Sequence, residues 1–305
     1  MTRRRSGSIL GCVLLVWSSV AGAAEVAVLK SSDAPAWRPA LDALKQTAAG
    51  HTLTEYDLRG DRAEADRVLG TLKGKPVVVV AMGLLAAQAA KEVAPEMPLI
   101  YCMVQDPAKA GLAGGANITG VAFTVPVKNQ LAAFRMVYPR GVKIGVIYSA
   151  DNTGRMVQEA LKASTVVRLN VVDRPVVADK DIPEAVRSLL KGDQAVDALW
   201  IPPDPILLGD EARRFVLSET LKAGKPVYTS LAALVAEGAL VSSSPDMASI
   251  GEQAGDLVNR LAGGEKGGKI EMLIPRAELI INKKIAEKLK IEIPADALKA
   301  ATKVF

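Results

Sequence analysis

The chain has 305 residues, half of them hydrophobic and 4% aromatic, with 38 Lys and Arg against 33 Asp and Glu. That length holds one large domain or two medium ones, and Ala, Val and Leu dominate as they do in helices packed on buried parallel strands. Arg3, Arg4 and Arg5 supply three of the basic residues; without them 35 stand against 33, which excludes a basic footprint for nucleic acid.

The first 24 residues read as a cleaved secretory signal peptide. A basic head (Arg3, Arg4, Arg5) precedes an apolar run from Ile9 to Val20 and the small residues Ala21-Gly22-Ala23-Ala24. The run is shorter than the about 20 apolar residues a membrane-spanning helix needs. Two alternatives are an uncleaved anchor and a lipoprotein signal. Ile9-Leu10-Gly11-Cys12 resembles a lipobox, but the apolar run follows Cys12 instead of preceding it. The mature protein is expected to begin at Ala24 or Glu25, in the periplasm or another extracytoplasmic space. Cys102 is then the one remaining thiol, so no internal disulfide is expected, and it reads as a buried strand cysteine. The single His51 has no metal-ligand spacing around it.

Strands and helices then alternate. Strands are expected over 26–29, 52–56, 76–81, 98–102 and 121–123, with helices over 35–49, 62–72 and from Gly83 to Val93. Pro76 to Ala81 is uniformly apolar and β-branched, the pattern of a strand buried on both faces. The pattern restarts with a helix over 127–138 and strands over 143–148, 166–172, 198–201 and 226–228. Helices lie between them to Ala163, over 182–190 and over 204–223. Two consecutive βαβ arrays predict an α/β chain of two Rossmann-like lobes, each a mostly parallel sheet flanked by helices. Ligands in open α/β sheets bind outside the carboxyl ends of the strands, so a cleft between the lobes is the expected site.

Several segments resemble one family. Asp106-Pro107 and Gly111-Leu112 precede Asn117-Ile118-Thr119-Gly120-Val121; Lys143-Ile144-Gly145-Val146-Ile147-Tyr148 opens the second array. Asp197-Ala198-Leu199-Trp200-Ile201-Pro202 leads to Asp204, and Gly238-Ala239-Leu240-Val241-Ser242 precedes Pro245-Asp246 and Gly251. Leu279-Ile280-Ile281-Asn282 precedes Ala286, Leu289, Ile291 and Pro294. In order and spacing these resemble the ABC-transporter substrate-binding proteins of the tryptophan/tyrosine-permease-like group, which have the type I periplasmic binding protein fold. The sequence departs from the group at Ala81-Met82-Gly83-Leu84, where a Thr-rich turn is usual, and at the short loop Ser31-Ser32-Asp33. The resemblance implies a first lobe of residues 25–122 plus 245–265 and a second of 123–244 plus 266–305. Three crossings would form a hinge near Phe123-Thr124, Ser243-Ser244 and the glycine-rich loop 263–268.

The candidate ligand-binding residues follow strands. Ser31 and Ser32 offer hydroxyls after the first strand. Met82 and Gly83 stand where backbone N–H groups at a helix start can hold a carboxylate, or where a glycine merely packs. Gln105 and Asp106 follow the fourth strand, and Asp106-Pro107 is also a turn signal. Tyr148, Asn152 and Thr153 follow the first strand of the second array, the last two doubling as helix caps. Thr229 and Ser230 carry the same ambiguity. Asp204 either accepts the ammonium of an amino-acid-like ligand or caps a helix that has proline at its first position. Trp37 sits at helical spacing and reads as core.

Gly263-Gly264-Glu265-Lys266-Gly267-Gly268-Lys269 nearly spells a phosphate-binding loop, but Ile270 follows where Ser or Thr is required, and it reads as a flexible surface loop. No zinc, nucleophile-elbow or dinucleotide motif is present in the sequence, and no cofactor or metal is expected. The expectation is a monomeric solute-binding protein that closes on a small polar ligand and presents it to a membrane permease; the resemblance implies that the ligand is an amino acid or similar compound. With so few aromatics, stacking on several rings is not expected. Alternatives are a ligand-sensing module of a signalling system and a secreted α/β enzyme.

Overall fold

The computed structural model describes residues 23–192 and 195–305. The arginine cluster, the apolar run and Cys12 lie outside the described residues. Among the described residues, no helix is long and apolar enough to cross a membrane.

The chain forms two sheets. Strands β1 (Glu25–Lys30), β2 (Thr52–Asp57), β3 (Val77–Met82), β4 (Leu99–Cys102) and β5 (Ile118–Gly120) make the first, in the order β2-β1-β3-β4-β5 and wholly parallel. β3 is buried along its whole length, as its unbroken Val run predicts. Its Val79 and Ala81 pack with Ala86, Ala87 and Ala90 of α3 (Leu84–Val93) and Leu69 of α2 (Arg62–Leu72). Its Val78, Val80 and Met82 pack on the other face, with Leu44 of α1 (Arg38–Thr47). Period-two alternation along one strand thus feeds two cores, one per face.

The second sheet is built from β6 (Lys143–Tyr148), β7 (Asn170–Pro175), β8 (Ala198–Ile201), β9 (Val227–Thr229), β10 (Val241–Pro245), β11 (Ala277–Ile281) and β12 (Lys303–Val304), in the order β12-β11-β10-β9-β8-β6-β7. β11 runs antiparallel to β10; the other pairs are parallel. α4 (Val127–Val137) and α5 (Ala150–Ser164) cover one face with α11 (Lys283–Lys288) and α12 (Ala295–Ala300). α6 (Ile182–Leu190), α7 (Pro205–Leu208), α8 (Asp210–Lys222) and α9 (Ala232–Glu237) cover the other. Within the first of these cores the buried Gln130 amide donates to Val125 O at 2.7 Å and accepts from the Tyr228 hydroxyl at 3.2 Å. This satisfies a phenol that burial would otherwise leave unpaired.

After β10 the chain returns to the first sheet. α10 (Met247–Ala262) places Ile250, Ala254, Leu257 and Val258 against Val26, Val28 and Val80. It lies hard against α1: a Cβ on Gly251 would stand 1.9 Å from Ala40 O, and one on Gly255 2.6 Å from Thr47 Cβ. Two glycines one turn apart let the helix backbones approach.

Five elements differ from the sequence reading. The strand expected over 166–172 begins at Asn170, because Arg168 has a positive φ of 56° and the chain turns there. The fifth strand ends at Gly120, and Val121 instead bridges Leu273. The helix expected over 204–223 breaks at Gly209, whose ψ of 142° is extended. The glycine-rich segment 263–268 is not free along its length: Gly267 is buried, and Gly268 N donates to Ala116 O at 2.9 Å. Neither position has room for a Cβ, which would stand 2.7 Å from Asn117 O or 2.6 Å from Ala116 O. Residues 266–273, expected in the second lobe, therefore lie on the first sheet, where Ala122 N donates to Leu273 O at 2.8 Å. The chain crosses between sheets after Ala122, after Pro245 and between Leu273 and Ala277.

Gly251→Ala is expected to cost about 2–3 kcal/mol of stability, because the new methyl meets a backbone carbonyl that moves only with α1. Urea unfolding of the variant checks this; an unchanged midpoint would refute the close approach.

Candidate functional site

The carboxyl ends of the first sheet carry Ser31, Ser32, Met82 and Gly83. Gly83 has φ 95°, and a Cβ there would stand 2.6 Å from Ser31 Oγ and 2.8 Å from Trp37 Cη2. Glycine is required at this turn on both counts. Ser31 N donates to Met82 O at 2.9 Å, and Ser31 Oγ accepts from Ala86 N at 3.0 Å, capping α3 from a neighbouring strand. The Gly83 N–H donates to Cys102 O at 2.9 Å and is not available to a ligand carboxylate. The Met82 side chain is buried in the core, and Ser32 is exposed. Ser32, Met82 and the half-buried Trp37 line a cavity of about 450 Å³ on the first lobe. Its charges compensate one another: Lys30 Nζ lies 2.9 Å from Asp33 and 3.3 Å from Glu55, and Lys45 also pairs with Glu55. The hydrogen bond that it donates to Asp33 holds the Lys30 ammonium above its ordinary pKa against the cost of burial. Lys45, and then Lys30, hold the Glu55 carboxyl below its own.

A second cavity, of about 130 Å³, lies between the lobes. Gln105 and Asp106 line it from the loop after β4, and Asn152, Thr153, Arg155 and Glu159 line it from the start of α5. The connector Thr124-Val125-Pro126 and Pro203 close its sides. Two contacts tie the lobes here. Arg155 Nη2 lies 2.7 Å from Asp106 Oδ1, and Lys109 Nζ donates to Asp151 O at 3.0 Å. Asp106 is oriented by its own turn, since its Oδ1 also accepts from Lys109 N at 3.0 Å.

Asp204 is fully buried, and its oxygens are committed. Oδ2 accepts from Ser149 N (2.7 Å), Ser149 Oγ (2.8 Å) and Thr153 Oγ1 (2.6 Å), while Oδ1 accepts from Ile206 N (3.0 Å). It caps α7 and gathers the first turn of α5. This geometry corrects the expectation that Asp204 meets a ligand ammonium. Thr153 points its hydroxyl at the same carboxylate, and Asn152 Nδ2 donates to Ser149 Oγ at 2.6 Å. Tyr148 is in the second-lobe core, its hydroxyl donating to Asp173 Oδ2 at 3.1 Å; burial first, then Asp173, pushes the phenol above its ordinary value. Thr229 is fully buried and spent on backbone, donating to Ile201 O and accepting from Leu231 N. Ser230 is nearly buried beside it and lines neither cavity.

Of the twelve candidates, Gln105, Asp106, Asn152 and Thr153 come together in the inter-lobe cavity, and Ser32 and Met82 line the first-lobe cavity with Ser31 and Gly83 at its edge. Tyr148, Asp204, Thr229 and Ser230 join neither. The sequence reading missed Arg155 and Glu159, which lie one and two turns into α5, because it followed strand ends and stopped at the helix cap. Their i, i+3 and i, i+4 spacing from Asn152 and Arg155 was the available signal. Among the described residues, no group of three or more His, Cys, Asp or Glu side chains is arranged to hold a metal. Cys102 is buried, which pushes its thiol up to about 12.

Asp204→Ala is expected to lose about 3 kcal/mol of stability, since it strands the buried donors of Ser149, Thr153 and Ile206. Chemical denaturation measures this, and a loss confined to ligand affinity would refute the structural role. Native Cys102 is expected to resist a thiol reagent near pH 8 and to react fully once the chain is unfolded in denaturant, both because it is inaccessible and because the thiolate is scarce.

Known proteins resemble this architecture along nearly the whole chain. A tyrosine-binding protein of Clostridioides difficile (strain R20291) is 26% identical over 235 residues, covering 74% of this chain and 66% of that protein, just under two thirds of its length. The structure of an ABC domain in complex with L-Trp from Streptococcus pneumonia aligns with a TM-score of 0.68 at 25% identity, over 93% of this chain and 100% of that one. A ligand-free, open substrate-binding protein with adhesive properties, from Clostridium difficile, shares the fold at a TM-score of 0.79 and 19% identity, over 92% of this chain and 99% of that one. The profile of the ABC transporter substrate binding protein family matches residues 40–305. With two mostly parallel-sheet lobes of the type I periplasmic binding protein kind and cavities at their carboxyl ends, the chain belongs to the ABC transporter substrate binding protein family.

Proposed function

We propose that the ligand is an amino acid or a compound like it, held between the lobes by hinge closure and released to the permease of an ABC importer. The supporting observation is the inter-lobe cavity, where the loop after β4 meets the start of α5 and both a carboxylate and a guanidinium are present. The names of the relatives, one tyrosine-binding and one bound to L-Trp, favour the same class. The lobes of this reading are residues 23–122 with 246–273, and 127–245 with 277–305. The three crossings between them, near Phe123-Thr124, Pro245-Asp246 and Ile274-Arg276, form the hinge. The protein acts as a monomer outside the cytoplasm, after removal of residues 1–23 or 1–24 as a signal peptide.

A thermal-shift screen of the mature protein against the common amino acids, purines, sugars and small organic acids tests this. A ligand at 100 times its dissociation constant adds about 2.7 kcal/mol of stability. That is expected to raise the melting temperature by a few degrees for amino acids, the aromatic ones foremost. A response only to sugars or purines would refute the ligand class.

A further inference from the structure

His51 is the chain's single histidine, and no sequence motif accounts for it. In the fold it stands just before β2, beside the first residue that the sheet takes hold of. His51 Nδ1 accepts from Ala24 N at 3.0 Å, and Thr52 N donates to Ala24 O at 3.0 Å. Both backbone groups of Ala24 are therefore engaged before β1 begins at Glu25. Ala23, one residue upstream, is exposed, whereas Ala24 is half-buried.

The ring is held in one tautomer. Because Nδ1 accepts, the neutral imidazole carries its proton on Nε2, which lies 3.0 Å from the acceptor Asn259 Oδ1. The Asn259 amide nitrogen in turn donates to Thr47 O at 3.3 Å. Thr47 ends α1 and Asn259 lies in α10, the two helices that Gly251 and Gly255 bring together. One imidazole thus joins the start of the first sheet to the seam between α1 and α10.

The sequence places a cut at the same point. Ala21-Gly22-Ala23 is an A-x-A step whose cut falls between Ala23 and Ala24; a cut one residue later has Gly22 in the place of Ala21. The two starts differ in chemistry. A chain starting at Glu25 leaves Thr52 N without this acceptor and His51 Nδ1 without this donor. A chain starting at Ala24 keeps both, and it offers Nδ1 an ammonium in place of an amide N–H, the stronger donor of the two.

Resting on the reading of the first residues as a signal peptide, we propose that the Ala23–Ala24 peptide is the processing site and that His51 is the seat of the α-ammonium released there. A signal peptidase adds water across that bond. The C–N bond breaks, the water oxygen completes the Ala23 carboxylate, and both water protons end on the Ala24 nitrogen as an ammonium. The seat then ties the mature terminus to the helix seam and shields its amine.

The test expresses the full chain in a Gram-negative host and weighs the secreted protein by intact mass spectrometry. The mass of residues 24–305 is expected. The protein is then pulsed with an amine-acylating reagent near neutral pH, and labelling of the α-amine is read on the N-terminal peptide. His51→Ala is expected to acylate the terminus about fivefold faster than wild type, with the lysines unchanged. His51→Asn, which keeps an acceptor near the Nδ1 position, is expected to stay near wild type. A secreted protein that starts at Glu25, or at any residue but Ala24, overturns the seat and leaves secretion standing. A start at Ala24 whose amine reacts equally fast in wild type and His51→Ala also overturns it. A chain that keeps residues 1–23 refutes the signal-peptide reading itself, and the seat with it.

Discussion

The buried carboxylate of Asp204 organises the face of the second lobe that looks onto the cleft. It receives four hydrogen bonds from three segments: the end of β6, the first turn of α5 and the start of α7. A charge with no exposed surface is tolerated only with this many donors. Because two of the donating residues, Ser149 and Thr153, frame the start of α5, the carboxylate sets where Asn152, Arg155 and Glu159 stand. The inter-lobe cavity therefore inherits its second wall from a residue that never touches it.

A comparable economy holds the two lobes to one chain. α10 follows the last parallel strand of the second sheet but packs in the core of the first, where Gly251 and Gly255 let it lie against α1. The segment after it stays on the first lobe through the Leu273 bridge to Val121 and returns only at β11. Each lobe is thus completed by residues distant in sequence. The crossings cluster near the connector Thr124-Val125-Pro126, itself a wall of the inter-lobe cavity. A ligand in that cavity touches the segments that any relative motion of the lobes must bend.

The electrostatics of the two cavities differ in kind. In the first-lobe cavity Lys30 is shared by Asp33 and Glu55, and the directions of their pKa shifts show each charge held by an opposite neighbour in the same lobe. Such a network is self-contained. Between the lobes, the opposite charges of Asp106 and Arg155 come from different lobes.

The sequence by itself determined the two-lobe α/β architecture, because unbroken apolar runs such as Val77 to Ala81 and the helical segments between strands have only one way to bury themselves. It also carried the family, through segments spread along the whole matched region, and it pointed to Gln105, Asp106, Asn152 and Thr153 because strand ends face a cleft in such sheets. What only the tertiary structure decided is which polar groups are spent. Asp204, Thr229 and Tyr148 have the residue types and positions of ligand contacts, but partners far away in sequence consume them. The same holds for the glycines at 267 and 268, which look like a free loop until the carbonyls of residues 116 and 117 are seen beside them. Hydrogen-bond capacity is used up by neighbours in space, and a linear pattern records the donor or acceptor but not the partner that meets it.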